Sequence, residues 1–479
     1  MFLKKSDHII VISILTYLLI RYFSFFWVLD DTFIMLRIAR NISLGNGYVF
    51  NVGAPVLAAS SIIWPVLISV LFPFARDPFL VIKYSSLFFG VLSLVIIVKI
   101  GEKLFCGTKF AYLPALLFIL DPGDIFNSVS GMDCEIFLFS ILALTYLLCD
   151  PNVRNPAHVY FLIAVIPLTR YEGFLFSLLA LLFLEYKGHT NQIQSKGYYL
   201  LIPVITWISL FVFTFSYFGV VLPTTLQAKL SFFEDALKDY GVFPFIISTY
   251  GSALPIVFLS LKRVLKKDIL LFIASWAIML LISHHLFFPM YGLYFGRYML
   301  PAIPFFHMIL TQGYITLNEF IQKHFKNNHF FIFLIVFLLT IFQPLYSIKV
   351  YYEGVKAYTD VDRDVDLAIT NWLSGNTNGT AYVITFHLGR IAYMYGSGKV
   401  EDFTGIANPD IIAYVQRNDI LSYLVKEKPD YVTDMGGGSF KTKNIYVNEY
   451  FNSACSIVFE VPHRYMGTEL NRVLYKCNW

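Results

Sequence analysis

Charged residues are scarce in this chain. Of its 479 residues, only 14% are Asp, Glu, Lys or Arg, whereas about a quarter of the residues in a soluble domain are charged. Hydrophobic residues make up 57% of the chain, and the mean hydropathy is +0.63. These values exclude a soluble enzyme and a disordered chain. They indicate a polytopic membrane protein.

Other absences exclude further classes of binding site and scaffold. The sequence has no cluster of Lys and Arg on a polar surface, so nucleic acid is not an expected partner. It has no P-loop and no Rossmann fingerprint, so no nucleotide site is expected. Its five cysteines are too few for a disulfide scaffold. Cys455 and Cys477 lie in the polar C-terminal region, where a disulfide or two free thiols both remain open.

Apolar segments predict about eleven membrane-spanning helices of roughly 20 residues each. A further segment at 59–75 is short and contains Pro65 and Pro73, so we expect it to be interfacial or re-entrant. The first segment lacks a signal-peptide cleavage site and is expected to be retained. The predicted spans are 9–28, 79–98, 110–121, 134–149, 157–169, 172–186, 198–218, 243–261, 269–288, 299–317 and 329–348.

Lys and Arg in the short loops predict the orientation. With a cytoplasmic N-terminus, the cytoplasmic loops hold about twice as many Lys and Arg as the opposite loops, as the positive-inside rule requires. Residues 1–350 then form a transmembrane core, and 29–78 is its first outer loop. The chain from 351 to 479 is extracytoplasmic.

The composition of residues 351–479 predicts a small extracytoplasmic α/β domain. The segment 360–376 is typical of an amphipathic helix. Segments 380–386 and 429–435 are typical of short buried strands, and 453–462 with 471–479 is typical of a closing strand pair. A loop is expected at 435–444. No internal repeat is visible in the chain.

The few ionisable residues beside the predicted spans collect at the outer membrane face. Such groups are costly at membrane depth, so each is a functional candidate. A shared outward-facing cavity would explain the arrangement. The candidates are Asp30, Asp31, Arg37, Asp133, Glu135, Arg170, Glu172, Lys229, His284, His285 and Arg297.

Asp30 and Asp31 are the sharpest candidates, at the exit of the first apolar segment. One alternative is that Asp31 caps the following helix. Capping needs only one acid, so the other carboxylate remains available as a general base or a cation ligand. For Arg170, snorkelling to lipid headgroups and binding of a phosphate both remain open.

The other candidates also have structural alternatives. Asp133 and Glu135 are acids of a first helical turn, which the helix dipole favours. Lys229, Arg297, His284 and His285 suit a membrane interface as well as an anion site. His284 and His285 are adjacent and point to different sides of a helix, so we expect no metal site there.

At this point the residues resemble a known family. The run LDDTFIMLRIARNISLGNGYVFN (29–51) is similar to the first outer loop of bacterial GT-C glycosyltransferases that use polyprenyl-phosphate sugar donors, in particular the subgroup of the mycobacterial terminal β-arabinofuranosyltransferase. Four later segments are similar to further motifs of that subgroup, in the same order. They are SGMDCEIF (130–137), TRYEGFLF (169–176), FGVVLPTTLQAK (218–229) and GRYMLPAIPFF (296–306). The departures Thr32, Ile38, Asp133, Tyr171 and Thr224 indicate a divergent member.

The resemblance implies an inverting glycosyltransferase in the bacterial plasma membrane, acting at its outer face. No cofactor is expected, and the need for a divalent metal stays open. The donor would be a polyprenyl-phosphate sugar, and the acceptor a cell-envelope glycan or glycolipid. Asp30 is favoured as the base, with Asp31 as a cap or supporting acid. The implied phosphate ligands are Arg170, Lys229, Arg297 and Arg37. The residues that would support these ligands without contacting the donor are Asp133, Glu135, Glu172, His284 and His285.

Two other classes remain as alternatives. A transporter or flippase of a lipid-linked or anionic solute would also collect charges along a pathway. Transporters, however, usually show repeated halves and polar groups at the bilayer midplane, and neither is visible here. An inactive scaffold that binds envelope glycans is the third possibility.

Overall fold

A computed structural model describes most of the chain. The described residues are 5–150, 156–189, 197–232, 242–287, 296–325, 328–396, 398–435, 442–465 and 468–479. Most of the loop expected at 435–444 lies outside them.

Helices dominate the described residues. They are α1 (Lys5–Ser24), α2 (Asp30–Ser43), α3 (Ile63–Leu71), α4 (Pro78–Leu104), α5 (Leu113–Ile119), α6 (Pro122–Asn127), α7 (Cys134–Leu148), α8 (Pro156–Thr169), α9 (Gly173–His189), α10 (Leu201–Phe218), α11 (Thr224–Phe232), α12 (Val242–Tyr250), α13 (Leu254–Val264), α14 (Asp268–Phe287), α15 (Ile303–His324), α16 (His329–Asn376), α17 (Leu388–Tyr395), α18 (Ile412–Gln416), α19 (Ile420–Glu427) and α20 (Glu449–Ala454). Short 3₁₀ turns cover Phe72–Phe74, Gly197–Leu200, Gly251–Ala253 and Pro409–Ile411.

Six helical segments of the described chain are long and apolar enough to cross a membrane. They are Asp7–Ser24, Pro78–Leu104, Gly197–Phe218, Phe243–Val264, Asp268–Leu286 and His329–Asn376. The expected count of about eleven is therefore not reproduced by length and composition. At 110–121 the structure has only the seven-residue α5, about 10 Å long at ~1.5 Å per residue. That is too short to cross a hydrocarbon core of about 30 Å.

The chain forms two compact units. The helical unit contains Met1–Phe26, Lys83–Leu210 and Leu237–Tyr352. The sheet unit contains Trp27–Ile82, Phe211–Ala236 and Glu353–Trp479, and so includes the expected first outer loop.

In the sheet unit, five strands form one mixed sheet in the order β2-β1-β3-β5-β4. The strands are β1 (Val383–Thr385), β2 (Val400–Asp402), β3 (Tyr431–Met435), β4 (Cys455–Tyr465) and β5 (Thr468–Cys477). Strand β1 pairs in parallel with β2 and β3, and β5 runs antiparallel to both β3 and β4. The predicted strands and closing pair are confirmed, whereas β2 was not anticipated.

Cys455 and Cys477 form a disulfide, which settles the alternative that the sequence left open. The two residues are register partners at the ends of β4 and β5. Both are buried in an apolar core with Phe451, Val473 and Tyr475. The bond therefore closes the last strand pair of the sheet.

The segment at 59–75, which was expected to be too short to span the membrane, contains a short helix. Helix α3 and the 3₁₀ turn after it give an apolar helical segment, Ile63–Phe74, that is shorter than a membrane span. Helix α2 packs against both α3 and α17. Nine of its fourteen residues are buried, because its apolar side chains face both neighbours.

Candidate functional site

Arg170 lies in the helical unit at the tight turn between α8 and α9. Gly173 allows this turn, because a Cβ atom there would lie 2.7 Å from the carbonyl oxygen of Ile166. The guanidinium is buried and bonds two carboxylates. Arg170 Nη1 lies 2.7 Å from Asp133 Oδ1, and Nη2 lies 2.9 Å from Glu172 Oε1. Asp133 is fully buried, whereas the Glu172 side chain is 28% exposed.

Arg297 and His284 belong to the same charged group, which we call the Arg170 cluster (Arg170, Asp133, Glu172, Arg297 and His284). Arg170 and Arg297 both act electrostatically on the thiol of Cys134. His284 lies within electrostatic range of Arg170 and Glu172. Both Arg297 and His284 are buried. The structure thus brings together residues that are more than 150 positions apart in the sequence.

Tyr298 contacts both Arg297 and His284. Arg297 Nη2 donates to the Tyr298 hydroxyl at 2.6 Å, and the His284 ring lies 5.9 Å from the Tyr298 ring. Asp133 and Glu172 both pair with Arg170. An anion that binds Arg170 must therefore compete with a carboxylate for its guanidinium group.

Two expected residues have partners outside this cluster. His285 is exposed and packs on the ring of Phe243, so it points away from His284, as its adjacent position predicted. Glu135 is fully buried and lies within electrostatic range of Asp124 and Arg21. Arg21 pairs with Asp124 in a buried ion pair.

Asp30 and Asp31 lie in the sheet unit, in the first turn of α2. The N-cap of α2 is Leu29, and no side chain bonds the helix end at that position. Asp31 therefore does not occupy the N-cap position of α2. Both acids are half-buried and lie where the helix dipole favours negative charge.

The Asp30 carboxylate is bonded by backbone donors of a distant helix. Gly389 N–H donates to Oδ2 and Arg390 N–H donates to Oδ1, each at 2.8 Å. Burial raises the pKa of Asp30, as does the charge of Asp366, and these effects outweigh His387 and the two amide donors, which lower it. Asp30 is therefore an oriented carboxylate that binds a proton more readily than a free aspartate.

Arg37 needs a correction. Its Nε donates to the carbonyl of Phe50 at 2.8 Å. Its Nη atoms donate to the side-chain oxygen of Asn51 and to the carbonyls of Ala392, Gly396 and Gly398. Five acceptors use the five N–H groups of a guanidinium. These contacts give Arg37 a structural role, joining α2 to the end of α17, and leave no donor for a phosphate.

Lys229 lies in α11, but its side chain is outside the described part of the chain. The start of α11 is well fixed. Thr224 N–H donates to the carbonyl of Leu57 at 3.1 Å, and its hydroxyl lies 2.5 Å from the carbonyl of Ile406. The backbone position of Lys229 therefore follows from contacts within the sheet unit.

Across the described ranges, no group of three His, Cys, Asp or Glu side chains is arranged to hold a metal ion. The helical unit does contain an apolar cavity of about 220 Å³ between α12, α13, α14 and α15. Phe245, Tyr250, Val257, Ala277, Met299 and Phe306 are among its lining residues.

Comparison with solved structures reveals the fold. Over 90% of this chain and 70% of the other, the structure is similar to the apo oligosaccharyltransferase of Archaeoglobus fulgidus, at a TM-score of 0.58 and 12% identity. It is similar to ArnT from Cupriavidus metallidurans bound to undecaprenyl phosphate over 98% of both chains, at a TM-score of 0.57 and 11% identity. The protein has the GT-C fold.

A further solved structure supports the same fold. The Archaeoglobus oligosaccharyltransferase tethered to an acceptor peptide matches at a TM-score of 0.58, with 12% identity, over 90% of this chain and 69% of the other. No family model matches the sequence, and no curated protein matches it. At these identities the likeness is one of fold.

Sequence reasoning missed the partners of the expected site. No pattern in the nearby sequence indicates the residues that contact Asp30 or its partners. They are Gly389, Arg390, His387, Asp366 and Arg472. They lie more than 330 residues from Asp30 in the chain.

Proposed function

We propose that the protein is an inverting glycosyltransferase. It transfers a sugar from a polyprenyl-phosphate donor to a cell-envelope glycan or lipid at the extracytoplasmic face of the bacterial plasma membrane. The finer assignment is to the subgroup of the mycobacterial terminal β-arabinofuranosyltransferase. The observation that carries the proposal is an oriented Asp30 carboxylate, with Asp31 beside it, on a GT-C fold.

Asp30 is the proposed base. An acceptor hydroxyl gives its proton to Asp30 as its oxygen bonds the anomeric carbon from the face opposite the phosphate. The bond between the anomeric carbon and the phosphate oxygen breaks, and polyprenyl phosphate leaves with the electron pair. A positioned general base contributes about 10²–10⁴-fold to such a step. The raised pKa and the fixed orientation of Asp30 both suit this role.

The leaving phosphate needs positive partners. We assign this role to Arg170 and Arg297 of the Arg170 cluster, and to Lys229. Because Glu172 is the more exposed carboxylate partner of Arg170, the donor phosphate takes its place on Nη2, while buried Asp133 keeps holding Nη1.

The apolar cavity of the helical unit suits a prenyl chain. Its lining presents almost no polar surface, so a chain inside it makes apolar contacts only. We propose that the donor enters this cavity laterally from the bilayer. ArnT, which shares the fold, has a structure with undecaprenyl phosphate bound.

The rival transporter is less well supported. If the protein were a transporter, we would expect its fold to be similar to that of known transporters. The similar structures include an oligosaccharyltransferase and ArnT instead. The inactive scaffold gives no reason for an oriented carboxylate with a raised pKa.

One assay separates the three classes. Purified protein is incubated with a panel of labelled polyprenyl-phosphate sugars, in detergent with an acceptor extract and in sealed vesicles. Release of polyprenyl phosphate together with a labelled product supports the proposal. Movement of label across the vesicle without bond cleavage would show a transporter, and retention on envelope glycan alone would show a scaffold.

A further inference from the structure

The proposed base is not held by its own segment alone. Helix α17 points its N-terminus at Asp30, and two successive amides, Gly389 and Arg390, each donate to a different carboxylate oxygen at 2.8 Å. Two donors on two oxygens fix both the position and the plane of the carboxylate. The remaining lone pairs stay available for an acceptor proton.

Gly389 makes this approach possible. A Cβ atom at Gly389 would lie 2.8 Å from the carbonyl carbon of Asp30 and 3.0 Å from Asp30 Oδ1. The backbone φ of Gly389 is negative, so an alanine there is not strained by its own conformation. Any effect of Gly389→Ala must come from the contact with Asp30.

A buried charged chain lies behind α17. The His387 imidazole Nδ1 is 3.5 Å from Asp366 Oδ2. Arg472 Nη2 is 3.4 Å from His387 Nε2, and its Nη1 is 3.4 Å from Asp366 Oδ1. Asp366 is fully buried and the Arg472 side chain is 1% exposed. In the neutral imidazole Arg472 donates to Nε2, so the proton then lies on Nδ1 and faces Asp366.

Arg390 ties this chain to α2. Its backbone amide bonds Asp30, its Nε lies 3.9 Å from Asp366 Oδ2, and its guanidinium lies 4.6 Å from the centre of the Phe33 ring. Phe33 is in α2, one turn after Asp30. A displacement of Asp366 or His387 therefore moves the helix that orients Asp30.

We propose that Gly389, His387 and Asp366 are positioning residues for Asp30, which makes the segment Glu353–Trp479 part of the catalytic centre rather than an accessory. This inference rests on the proposed transfer function, because it assigns these residues to the base of that reaction. It does not depend on which sugar or acceptor is used.

The electrostatic signs of the two partners differ. The charged form of His387 lowers the pKa of Asp30, whereas the Asp366 carboxylate raises it. The other charged or titratable groups that face Asp366 are Arg390 from α17, Arg472 from β5 and His463 from β4. Removing His387 should raise the pKa of Asp30, and removing the Asp366 charge should lower it.

The first test compares two glycine substitutions in helices of the sheet unit. Gly389→Ala should lower kcat by roughly 10–100-fold, since small misplacements of a reacting group cost this much. Gly375→Ala, in α16 with open space around the position, should stay within about twofold of wild type. Equal kcat for the two variants would overturn the role of Gly389.

The second test is the pH profile of kcat/KM, which a merely structural role would not shift. Activity needs ionised Asp30, so the acid limb follows its pKa. His387→Asn should move that limb to higher pH and Asp366→Asn to lower pH, each by about half a unit or more. His8→Asn and Asp364→Asn, at exposed positions, should not move it. The proposal would be overturned if the acid limb stayed fixed in His387→Asn and Asp366→Asn, or moved in the same direction in both.

A third measurement keeps the inference separate from the proposed function. If wild type shows no transfer with any donor, that function fails. Hydrogen exchange then tests the positioning contact without turnover. Asp30→Ala should speed exchange at the amides of Gly389 and Arg390 roughly tenfold, whereas Asp419→Ala, at an exposed position, should leave it unchanged. Equal exchange in both variants would overturn the contact.

Discussion

Arg170 in the helical unit and Asp30 in the sheet unit are both bound by two groups, but the groups differ in kind. Arg170 bonds two carboxylates that are 37 and 2 residues away in the chain. Asp30 bonds two backbone amides that are 359 and 360 residues away. The carboxylates balance the charge of Arg170, whereas the amides orient Asp30 and leave its negative charge in place.

The two arrangements suit two different roles, anion binding and proton transfer. Carboxylate partners stabilise a buried arginine while no anionic ligand is bound, but they also compete with that ligand. Amide donors at a helix N-terminus lower the cost of a buried carboxylate without neutralising it. A base needs the second arrangement, because a carboxylate paired with an arginine gives up much of its affinity for a proton.

Removing the buried partner of Arg170 should have the largest effect on stability. Asp133→Asn leaves Glu172 as the carboxylate that pairs with the buried guanidinium, and the loss of the Asp133 charge should lower the free energy of unfolding by about 3–5 kcal/mol. Glu319→Gln, which breaks the exposed pair with Arg263, should cost no more than about 1 kcal/mol. Denaturant unfolding in detergent measures both. Equal losses would mean that the Asp133 contact is not a buried pair.

Arg37 tests whether the sheet unit uses an arginine for structure. Arg37→Lys keeps the charge but loses several of its five bonds, so the free energy of unfolding should fall by about 2 kcal/mol. Arg40→Lys, at an exposed position on the same helix, serves as the control. Donor affinity should stay within about twofold for both. A weaker donor affinity at unchanged stability would return Arg37 to the phosphate site.

The Arg170 cluster should control donor binding. Arg170→Ala should weaken binding of fluorescent polyprenyl phosphate about tenfold or more, because a charge-assisted bond is lost. Asp30→Asn should bind as wild type does. Arg263→Ala, at a half-exposed arginine of the same unit, is the control. Equal affinity in Arg170→Ala and wild type would exclude Arg170 as a phosphate ligand.

Glu172 gives a smaller effect of opposite sign. If phosphate replaces Glu172 on Arg170, then Glu172→Gln removes a competitor and should tighten donor binding several-fold. The same binding assay measures it, with Glu319→Gln as the exposed control. Weaker binding in Glu172→Gln would show that the carboxylate supports the ligand instead.

The sequence predicted those parts of the molecule that depend on neighbours in the chain. The closing strands β4 and β5, the helical end of α16 and the short segment around α3 follow from local patterns. Two of the three residues of strand β2 are the acids Glu401 and Asp402, so β2 lacks the apolar run that predicted β1. Helix α5 is apolar enough to suggest a span, but it stops before Asp121, which caps α6.

The site was predicted in part for the same reason. Asp30, Asp31 and Arg170 are visible because they are charged residues beside apolar segments. Nothing near Asp30 in the sequence indicates Gly389, since a glycine in contact with a residue 359 positions away has no local signature. The five bonds of Arg37 were likewise hidden, because four of their acceptors are backbone carbonyls.

The transfer rate of Asp30→Asn tests the central claim most directly. With a labelled polyprenyl-phosphate sugar that wild type uses, kcat should fall by at least about 10²-fold, while donor affinity and the unfolding midpoint stay near wild type. Asp419→Asn, at an exposed aspartate of the same unit, should transfer at the wild-type rate. Transfer by Asp30→Asn at the wild-type rate would contradict the account.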